Sequence, residues 1–336
     1  MTKIAVIGAG AWGTALSIVL GRSGNHDVKL WAFEEEVLKS ISSKRVNEQF
    51  LKDCAIPLSV SATGSFKEAL AGAEIVASVM PSHHCRRVFK EMSPHLNQEM
   101  LFVSATKGIE NGSFLRMSEV ITDTVQDACG FAPRIGALSG PSFAQEVAKG
   151  HPTAVTIASS DRELAETVQR AFSDPKFRVY MNPDIIGVEI GGAVKNVIAI
   201  AAGACDGLGL GHNSVSALIT RGLAEISRLA VSCGAKANTV AGLAGLGDLV
   251  LTATGGLSRN RSVGVELGKG RKLNEIIAGM HGMVAEGILT TDATVGLANK
   301  VDCEMPITQQ VYEVLHEGKT PQEAIRDLMS RPGKIE

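Results

Sequence analysis

The sequence predicts an α/β N-terminal domain with a doubly wound parallel sheet, followed by an all-α C-terminal domain. Short β-branched runs alternate with helical patterns in the first half, whereas after Asn182 apolar residues recur only at helical spacing. The 336 residues also exceed the roughly 250 to 300 at which a single core stops growing. We therefore expect a first domain of residues 1–182 and a second of residues 183–336.

Apolar segments in the first half are the strand candidates. They are KIAVIG, DVKLWAF, AEIVASVM, MLFVSAT, RIGALSG, TAVTIAS and FRVYMN. Helical patterns fill the intervals between them. Strands that are buried on both faces and alternate with helices are typical of a parallel sheet covered by helices on each side.

Composition excludes several classes of partner. With 33 basic and 35 acidic residues and a formal net charge of -2, the chain has no global field that attracts nucleic acid. The six cysteines form no CxxC motif and no Cys/His cluster, so we expect reduced thiols and no metal. The N-terminus lacks a signal-type stretch, and the longest apolar run, near residues 197–205, is too short for a membrane span. We expect a soluble cytoplasmic protein that binds small molecules or protein subunits.

A GxGxxG motif, Gly8, Gly10 and Gly13, lies between the first strand and the first helix pattern. There Gly8 permits a tight turn, Gly10 lets a pyrophosphate approach the backbone, and Gly13 allows the helix to pack closely on the strand. The helix N-terminus offers free N–H groups to a phosphate. A chance cluster among 36 glycines is the alternative. The strand before the motif and the helix after it favour a dinucleotide site.

The choice between NAD and NADP depends on the end of the second strand, in LWAFEEE. Phe33 occupies that region and Glu34, Glu35 and Glu36 follow it. We expect two of these glutamates to form the acidic first turn of the next helix. Arg45 lies too far along the chain to be assigned to a 2′-phosphate. The cofactor is therefore NAD or NADP, and the choice stays open.

Later strands of the first half end in the polar or glycine-rich turns VMPSHH, SATKGIE and LSGPSFAQE. Turns of this kind form the ligand-binding edge of open α/β sheets. Lys107 follows its strand closely enough for the ammonium to reach the nicotinamide end of a bound cofactor. An ordinary loop lysine explains the residue equally well.

Lys195 and Asn196 interrupt the small and apolar segment GVEIGGAVKNVIAIAAGACDG. Removing an ammonium from water is costly unless another group pairs with it, so a buried lysine here needs a chemical reason. The alternative is a lysine whose stem covers apolar neighbours while its charge stays in water. Gly191 and Gly192, on the lysine's side of the helix, leave room for a substrate or for a neighbouring backbone.

The helical half also carries an isolated carboxylate and a candidate phosphate site. Asp248 lies in the apolar segment GLAGLGDLVLT, with Thr252 one helical turn later. Ser258 is a plausible N-cap, which would place Arg259 and Asn260 in the first turn of a helix. A cation is disfavoured there unless a phosphate joins it, and we favour that phosphate over a surface arginine paired with a carboxylate.

Nine segments together resemble one enzyme family: GAGAWGTAL, SATKGIE, SGPSFAQE, GGAVKNVIAIAAGACDGLGLG, ALITRGLAEISRL, GLGDLVLT, SRNR, VAEG and EMPIT. They run almost from end to end of the chain, and the chain resembles the bacterial type of NAD(P)-dependent sn-glycerol-3-phosphate dehydrogenase. The resemblance implies a Rossmann domain, a helical domain and a homodimer. It also implies that dihydroxyacetone phosphate is reduced to sn-glycerol 3-phosphate, a precursor of glycerophospholipids.

Roles for particular residues follow from the resemblance. It implies that Lys195 is the proton donor and acceptor. The substrate-binding residues that it implies are Lys107, Gly140, Ser142, Asp248, Thr252, Ser258, Arg259 and Asn260. The residues that it implies along the cofactor, besides the three motif glycines, are Ala11, Trp12, Phe33, Lys107, Ala144, Arg259, Val284 and Glu286. Ala11 lacks the hydroxyl of a serine often found in the family, and Phe33 replaces a basic or histidine side chain, which argues against a strong NADP preference.

Two other functions are alternatives to glycerol-3-phosphate dehydrogenase activity. A related dehydrogenase of the 6-phosphogluconate or β-hydroxyacid type also combines a Rossmann domain, a helical domain and a Lys/Asn site. The SRNR and GLGDLVLT segments instead favour a short phosphorylated ketone. A non-catalytic dinucleotide sensor would bind the cofactor without turnover, but it gives no reason for Lys195 and Asn196.

Overall fold

An eight-stranded sheet occupies the first half of the chain in a computed structural model that describes residues 1–280 and 284–333. Its strands are β1 (Thr2–Ile7), β2 (His26–Trp31), β3 (Val60–Thr63), β4 (Ile75–Ser78), β5 (Leu101–Ser104), β6 (Arg134–Ser139), β7 (Thr153–Ala158) and β8 (Phe177–Asn182). Their order in the sheet is β3-β2-β1-β4-β5-β6-β7-β8. Neighbouring strands are parallel, except that β6 and β7 are antiparallel.

The predicted α/β Rossmann class is confirmed, with two differences in detail. The short strand β3 was missed, because its sequence VSAT is half polar and carries little strand signal. The prediction of an all-parallel sheet is wrong for the β6–β7 pair. An antiparallel neighbour needs no crossover along the sheet, so the connection formed by residues 140–152 is sufficient.

Helices cover both faces of this sheet. They are α1 (Ala11–Arg22), α2 (Glu35–Lys44), α3 (Phe66–Leu70), α4 (Cys85–Met92), α5 (Met117–Cys129), α6 (Ala144–Lys149) and α7 (Arg162–Phe172). Alternate residues of β1 enter different cores: Ile4 and Val6 join one, and Ala5 and Ile7 join the other. The strands are therefore buried on both faces, which explains their nearly continuous apolar sequences.

After residue 182 the described residues are helical or irregular and contain no strand, as predicted. The helices are α8 (Ile185–Gly207), α9 (His212–Ser232), α10 (Ala237–Val240), α11 (Asp248–Thr254), α12 (Arg259–Gly268), α13 (Leu273–Ala278), α14 (Glu286–Lys300), α15 (Pro306–His316) and α16 (Pro321–Met329). Helix α8 is long and apolar enough to cross a membrane, but 83% of its most apolar window is buried inside the protein. Such burial is typical of a helix in the core of a folded domain.

Two compact units result, Met1–Lys107 with Leu115–Val188 and Gly108–Phe114 with Glu189–Glu336. The segment Gly108–Phe114 belongs to the helical unit because the Phe114 ring occupies the space beside Gly296, where a Cβ would lie 2.1 Å from a ring carbon. The domain ranges 1–182 and 183–336 stay a prediction.

Glycines set the distance between α8 and α12. A Cβ at Gly203 would lie 2.0 Å from Arg261 O, and one at Gly264 would lie 1.9 Å from Ile200 O. Backbone therefore packs on backbone along this pair of helices, and no larger residue fits. The close contact fixes the position of the N-terminus of α12 relative to the middle of α8, where Lys195 lies.

Candidate active site

The glycine loop after β1 has the geometry that its motif predicts. Gly8 adopts a φ of +118°, and a Cβ there would lie 2.5 Å from Val79 O. A Cβ at Gly13 would lie 1.8 Å from Gly8 O, so helix α1 touches the loop itself. A Cβ at Gly10 would have no atom of the described residues within 4 Å. Gly8 and Gly13 are thus required by packing, whereas Gly10 faces open space.

The N-terminus of α1 leaves donors for a ligand. Thr14 N donates to Gly10 O at 3.0 Å, and no side chain caps the helix. The N–H groups of Ala11 and Trp12 precede the first intrahelical bond and have no acceptor within the helix. In the described part of the chain, the indole Nε1 of Trp12 is buried without a hydrogen-bonding partner. Open space at Gly10 and these free donors fit the pyrophosphate of a dinucleotide.

Asn47, which was not among the predicted site residues, holds the glycine loop in place. Its Nδ2 donates to Ala9 O and to Thr14 Oγ1, each at 2.8 Å. The side chain is fully buried. One amide therefore ties the loop to the first turns of α1. The Asn47 Oδ1 accepts locally from Phe50 N at 3.1 Å, but both acceptors of its Nδ2 lie more than 30 residues away, so no local pattern marks its contact with the glycine loop.

Phe33 follows β2 and is 70% exposed, with its ring centroid 6.4 Å from that of Trp31. Glu35 and Glu36 lie in the first turn of α2, as predicted for two of the three glutamates, and pair with Lys39 at 3.8 and 3.0 Å. An exposed aromatic side chain therefore lies where a charge would select between NAD and NADP.

Three predicted substrate residues of the first unit meet at the end of β6. Lys107 Nζ donates to Gly140 O at 3.1 Å, and Ser142 Oγ donates to the same oxygen at 2.9 Å. Gly140 has a φ of +146°, and a Cβ there would lie 2.9 Å from Val155 Cα. The position of the Gly140 carbonyl, which accepts from both donors, therefore requires glycine at this residue. The next helix, α6, begins at Ala144.

In the helical unit, Lys195 is 5% exposed and forms an ion pair with Asp248, which is 1% exposed. Lys195 Nζ also donates to Thr252 Oγ1 at 2.9 Å. Thr252 lies one turn after Asp248, so both side chains face the lysine from α11. The alternative in which the ammonium of Lys195 stays in water is wrong. A buried charge requires this kind of pairing.

A π-helical turn, Leu243–Gly247, directs Asp248 toward the lysine. Gly247 N donates to Gly242 O at 3.1 Å, which inserts one extra residue immediately before α11. Gly191 of α8 meets this turn, since a Cβ there would lie 3.1 Å from Ala244 O. The sequence predicted that Gly191 leaves room either for a substrate or for a neighbouring backbone, and the structure shows the neighbouring backbone there. Single π turns are frequent at functional sites.

Two asparagines connect three helices beside the lysine. Asn260 Nδ2 donates to Asn196 Oδ1 at 2.9 Å, and Gly287 N donates to Asn260 Oδ1 at 2.9 Å. Asn196 lies in α8, Asn260 in α12 and Gly287 in the first turn of α14. Both asparagine side chains are buried. The two asparagines stand out in the sequence, whereas Gly287 does not.

Ser258 caps α12 as predicted, because its Oγ accepts from Arg261 N at 3.2 Å. The two arginines of the SRNR segment differ. Arg261 pairs with Asp206 at 2.6 Å. Arg259 is exposed in the first turn, and the negative charge of Glu286 attracts its guanidinium. Because Arg261 is held by its ion pair, Arg259 is the arginine of this segment that is more available to an anion.

The predicted site residues divide between the two units. In the first lie Gly8, Gly10, Ala11, Trp12, Gly13, Phe33, Lys107, Gly140, Ser142 and Ala144. In the second lie Lys195, Asp248, Thr252, Ser258, Arg259, Asn260, Val284 and Glu286. Contacts join Lys195, Asp248 and Thr252, and separately Lys107, Gly140 and Ser142. Glu286 is the first residue of α14, and Val284 lies two residues before it. The roles of all these residues stay predictions.

The first unit carries a dinucleotide-binding loop on a doubly wound sheet, and the helical unit carries a buried ammonium that can transfer a proton. Together these two features define the class of NAD(P)-dependent oxidoreductases. Comparison with known sequences supports a narrower assignment. The profile of the NAD-dependent glycerol-3-phosphate dehydrogenase N-terminus matches residues 3–165, and that of the C-terminus matches residues 184–326. The chain belongs to the NAD-dependent glycerol-3-phosphate dehydrogenase family.

Similar proteins cover the whole chain. A glycerol-3-phosphate dehydrogenase [NAD(P)+] of Koribacter versatilis is 67% identical over 336 residues, which are 100% of this chain and 99% of that protein. The same enzyme of Acidobacterium capsulatum is 52% identical and covers 100% of both chains. The crystal structure of glycerol-3-phosphate dehydrogenase from Coxiella burnetii superimposes with a TM-score of 0.92 at 41% identity, covering 98% of this chain and 99% of its own. The family resemblance drawn from the sequence is confirmed.

Proposed function

We infer that the protein uses NAD(P)H to reduce dihydroxyacetone phosphate to sn-glycerol 3-phosphate, in a reversible reaction that supplies glycerophospholipid synthesis. One observation carries the chemistry: the Lys195 ammonium is buried between the Asp248 carboxylate and the Thr252 hydroxyl. Membership of the glycerol-3-phosphate dehydrogenase family supports the substrate. We further propose that the enzyme acts in the cytoplasm as a homodimer, as its family resemblance implies.

The glycine loop is the proposed site of the cofactor pyrophosphate, with NAD or NADP as the cofactor. Gly10 leaves the space for it, and the first N–H groups of α1 donate to it. The other residues that we assign to the cofactor are Ala11, Trp12, Phe33, Lys107, Ala144, Arg259, Val284 and Glu286. A bound reduced nicotinamide supplies the hydride that converts the ketone carbon into an alcohol carbon.

Lys195 supplies the proton in this proposal. Negative charge develops on the carbonyl oxygen during reduction, and a positioned ammonium stabilises it and then transfers a proton to that oxygen. Asp248 favours the charged form of Lys195 by its opposite charge. Thr252 fixes the direction of Nζ, because its own hydrogen is donated to Asp248 O at 2.6 Å and its oxygen accepts from the lysine. In the reverse direction the neutral amine accepts the proton.

The N-terminus of α12 is the proposed site of the substrate phosphate. Arg259 offers an exposed guanidinium there, and the helix offers free N–H groups and the positive end of its dipole. Arg261 is already committed to Asp206. The remaining residues that we assign to the substrate are Lys107, Gly140, Ser142, Asp248, Thr252, Ser258 and Asn260.

Absorbance at 340 nm tests this function directly. Purified protein is mixed with dihydroxyacetone phosphate and either NADH or NADPH, with unphosphorylated dihydroxyacetone as the control. We expect oxidation only with the phosphorylated ketone, and the ratio of the two rates gives the cofactor preference. A protein that binds the cofactors yet oxidises neither would instead be a dehydrogenase of hydroxy acids or a non-catalytic sensor.

A further inference from the structure

We propose that Asn47 is a positioning residue for the cofactor. It holds the peptide between Ala9 and Gly10 so that the Gly10 N–H faces the pyrophosphate and the Ala9 carbonyl oxygen points away from it. This inference rests on the proposed function and deepens it. The glycine loop provides the space for the pyrophosphate, and a residue 38 positions along the chain from Ala9 sets the direction of the groups that line this space.

The orientation of the Asn47 amide is fixed by its own turn of the chain. Its Oδ1 accepts from Phe50 N at 3.1 Å, and a backbone N–H can only donate. The backbone oxygen of Asn47 also accepts from Leu51 N at 3.0 Å, so two hydrogen bonds close the turn that carries the side chain. The NH₂ group is therefore the end that faces the glycine loop, and it does so from a fully buried position.

Both hydrogens of this NH₂ group are used. One is donated to Ala9 O and the other to Thr14 Oγ1, each at 2.8 Å. The Thr14 hydroxyl accepts from Asn47 and donates its own hydrogen to Ala9 O at 3.3 Å. The Ala9 oxygen thus accepts from two donors, as many as the two lone pairs of a carbonyl oxygen allow. Its position is fixed by a closed triangle of hydrogen bonds.

The Ala9 oxygen and the Gly10 N–H belong to one planar peptide. The described residues contain no cis peptide bond, and in a trans peptide the carbonyl oxygen and the N–H group point in opposite directions. Holding the Ala9 oxygen toward Asn47 and Thr14 therefore turns the Gly10 N–H the other way. A Cβ on Gly10 would meet no described atom within 4 Å, so open space lies beside this residue. Its N–H joins the other free N–H groups at the start of α1.

Glycine at position 10 makes the restraint necessary. Gly8 is held by the sheet, because its N–H donates to Trp31 O at 3.1 Å. At Gly10, a flip of the preceding peptide would change φ from -64° to a positive value, which glycine adopts at little cost. The flipped peptide would turn the Ala9 oxygen toward the phosphate oxygens and repel them. Asn47 prevents this movement, which the glycine needed for the pyrophosphate would otherwise permit.

Binding measurements without substrate test this role. We expect N47A to raise the dissociation constant of NADH roughly tenfold, as the loss of one hydrogen bond to a charged group predicts. ADP-ribose, which contains the pyrophosphate, should lose as much affinity, whereas adenosine, which lacks it, should bind as it does to the wild type. Competition with NADH measures both ligands. Equal losses for adenosine and ADP-ribose, or no loss for either, would overturn the proposal.

T14V is a milder variant that tests the same peptide if N47A does not fold. It removes one donor to Ala9 O and one acceptor of Asn47 Nδ2, so ADP-ribose should again lose affinity selectively. S17A is the matched control, because Ser17 is a buried hydroxyl of the same helix that donates instead to Gly13 O, at 2.9 Å. A loss of affinity in S17A as large as that in T14V would refute the inference.

The orientation of the peptide gives a readout that does not depend on activity. In a crystal structure of N47A that resolves carbonyl oxygens, we expect the Ala9 oxygen to leave its wild-type position or to occupy a second one. A single wild-type position would show that Asn47 does not hold this peptide. That result would overturn the proposal whatever the affinities are.

Two comparisons separate this role from stability and from the proposed function. V168A opens a cavity in the hydrophobic core that includes Ala9, so it should lower the melting temperature and leave the affinity for NADH unchanged. A loss of NADH affinity in V168A equal to that in N47A would attribute the effect to stability and refute the inference. A protein that binds NADH but does not reduce dihydroxyacetone phosphate would contradict the proposed function alone. A wild-type protein that binds neither NADH nor ADP-ribose would contradict both.

Discussion

Lys195 Nζ and Thr252 Oγ1 lie 2.9 Å apart, and the lysine is the donor. The threonine hydrogen is donated to Asp248 O at 2.6 Å, so the hydroxyl can only accept from the ammonium. Asp248 thus provides the opposite charge for the Lys195 ammonium, and Thr252 fixes the direction in which Nζ points. The proposed proton donor is held by two groups that belong to the same turn of α11.

The Thr252 hydroxyl should matter more to turnover than its methyl group. We expect T252V to lower kcat by about tenfold or slightly more, since a lost hydrogen bond to a charged group is worth roughly 1.5 kcal/mol. T252S keeps the hydroxyl and should stay within about threefold of the wild type. Steady-state kinetics with dihydroxyacetone phosphate compares the two. Equal kcat values for T252V and T252S would show that the hydroxyl does not orient the lysine.

Removing the lysine should abolish most of the turnover. We expect K195A to lower kcat by roughly 10²- to 10⁴-fold, the usual contribution of a positioned acid. Its NADH affinity should change little. K300A, which removes an exposed lysine at the end of α14, is the matched control and should behave as wild type. Near-wild-type turnover of K195A would refute the assignment of Lys195.

The ion pair allows stability to be separated from catalysis. K195M leaves the Asp248 carboxylate buried without its cation, which typically costs about 3–5 kcal/mol. We expect K195M to melt well below the wild type, and K195M/D248N to recover most of the melting temperature while remaining inactive. Thermal unfolding and the 340 nm assay measure the two effects. Recovery of activity in the double variant would mean that the lysine is needed only for folding.

Two glycines of the loop after β1 should respond in opposite ways to the same substitution. Gly10 has a φ of -64° and a Cβ there meets no described atom within 4 Å, so G10A should fold with an unchanged melting temperature. Its NADH affinity should fall at least about tenfold, because the methyl group fills the space for the pyrophosphate. G13A should lose stability, since its Cβ would lie 1.8 Å from Gly8 O. G10A with wild-type NADH affinity would place the pyrophosphate elsewhere.

Local patterns account for what the sequence predicted correctly. Gly8, Gly10 and Gly13 combine a strand, a turn and a helix within a few residues, and Ser258 carries the signal of an N-cap. Asp248 was conspicuous because it is a lone carboxylate in an apolar segment. In each of these cases the physical reason lies within one or two helical turns of the residue.

Long-range pairing accounts for what was missed. Asn47 is buried against the glycine loop, and Gly287 completes the hydrogen-bond chain to Asn196, but neither contact has a local signature. The antiparallel β7 reads in the sequence like any other strand, because strand direction depends on the connection and not on residue pattern. Each of these features depends on segments that meet only in the folded chain.

Phe33 offers a test of cofactor choice. The side chain is 70% exposed beyond the end of β2, so F33R should not disturb the core. A guanidinium there would attract the 2′-phosphate, and one partly exposed charge pair is worth up to about 1 kcal/mol. We expect the ratio of kcat/KM for NADPH to that for NADH to rise roughly fivefold. L58R, at another exposed apolar side chain, is the control. An unchanged ratio would place the 2′ position of the cofactor away from residue 33.

Glu225 in α9 caps the N-terminus of α15 from a buried position. Its carboxylate accepts from Ile307 N at 2.6 Å and from Thr308 N at 3.3 Å. Burial raises the pKa of Glu225 to about 7, although the two N–H groups favour the charged form. The carboxyl therefore binds its proton more tightly in the folded protein than in the unfolded chain, whose glutamates titrate near pH 4.3.

The folded protein should consequently lose stability as the pH rises. Between about pH 4.3 and pH 7 the native state keeps a proton that the unfolded chain releases, so this contribution is complete below that interval and lost above it. The loss amounts to at most about 4 kcal/mol, because a pKa difference of one corresponds to about 1.36 kcal/mol. We expect E225Q, whose oxygen still accepts from Ile307 N–H, to show a flatter decline of the unfolding free energy from pH 5 to 8. E317Q, at an exposed glutamate, should keep the wild-type slope. The same slope in E225Q would show that Glu225 titrates normally in the fold.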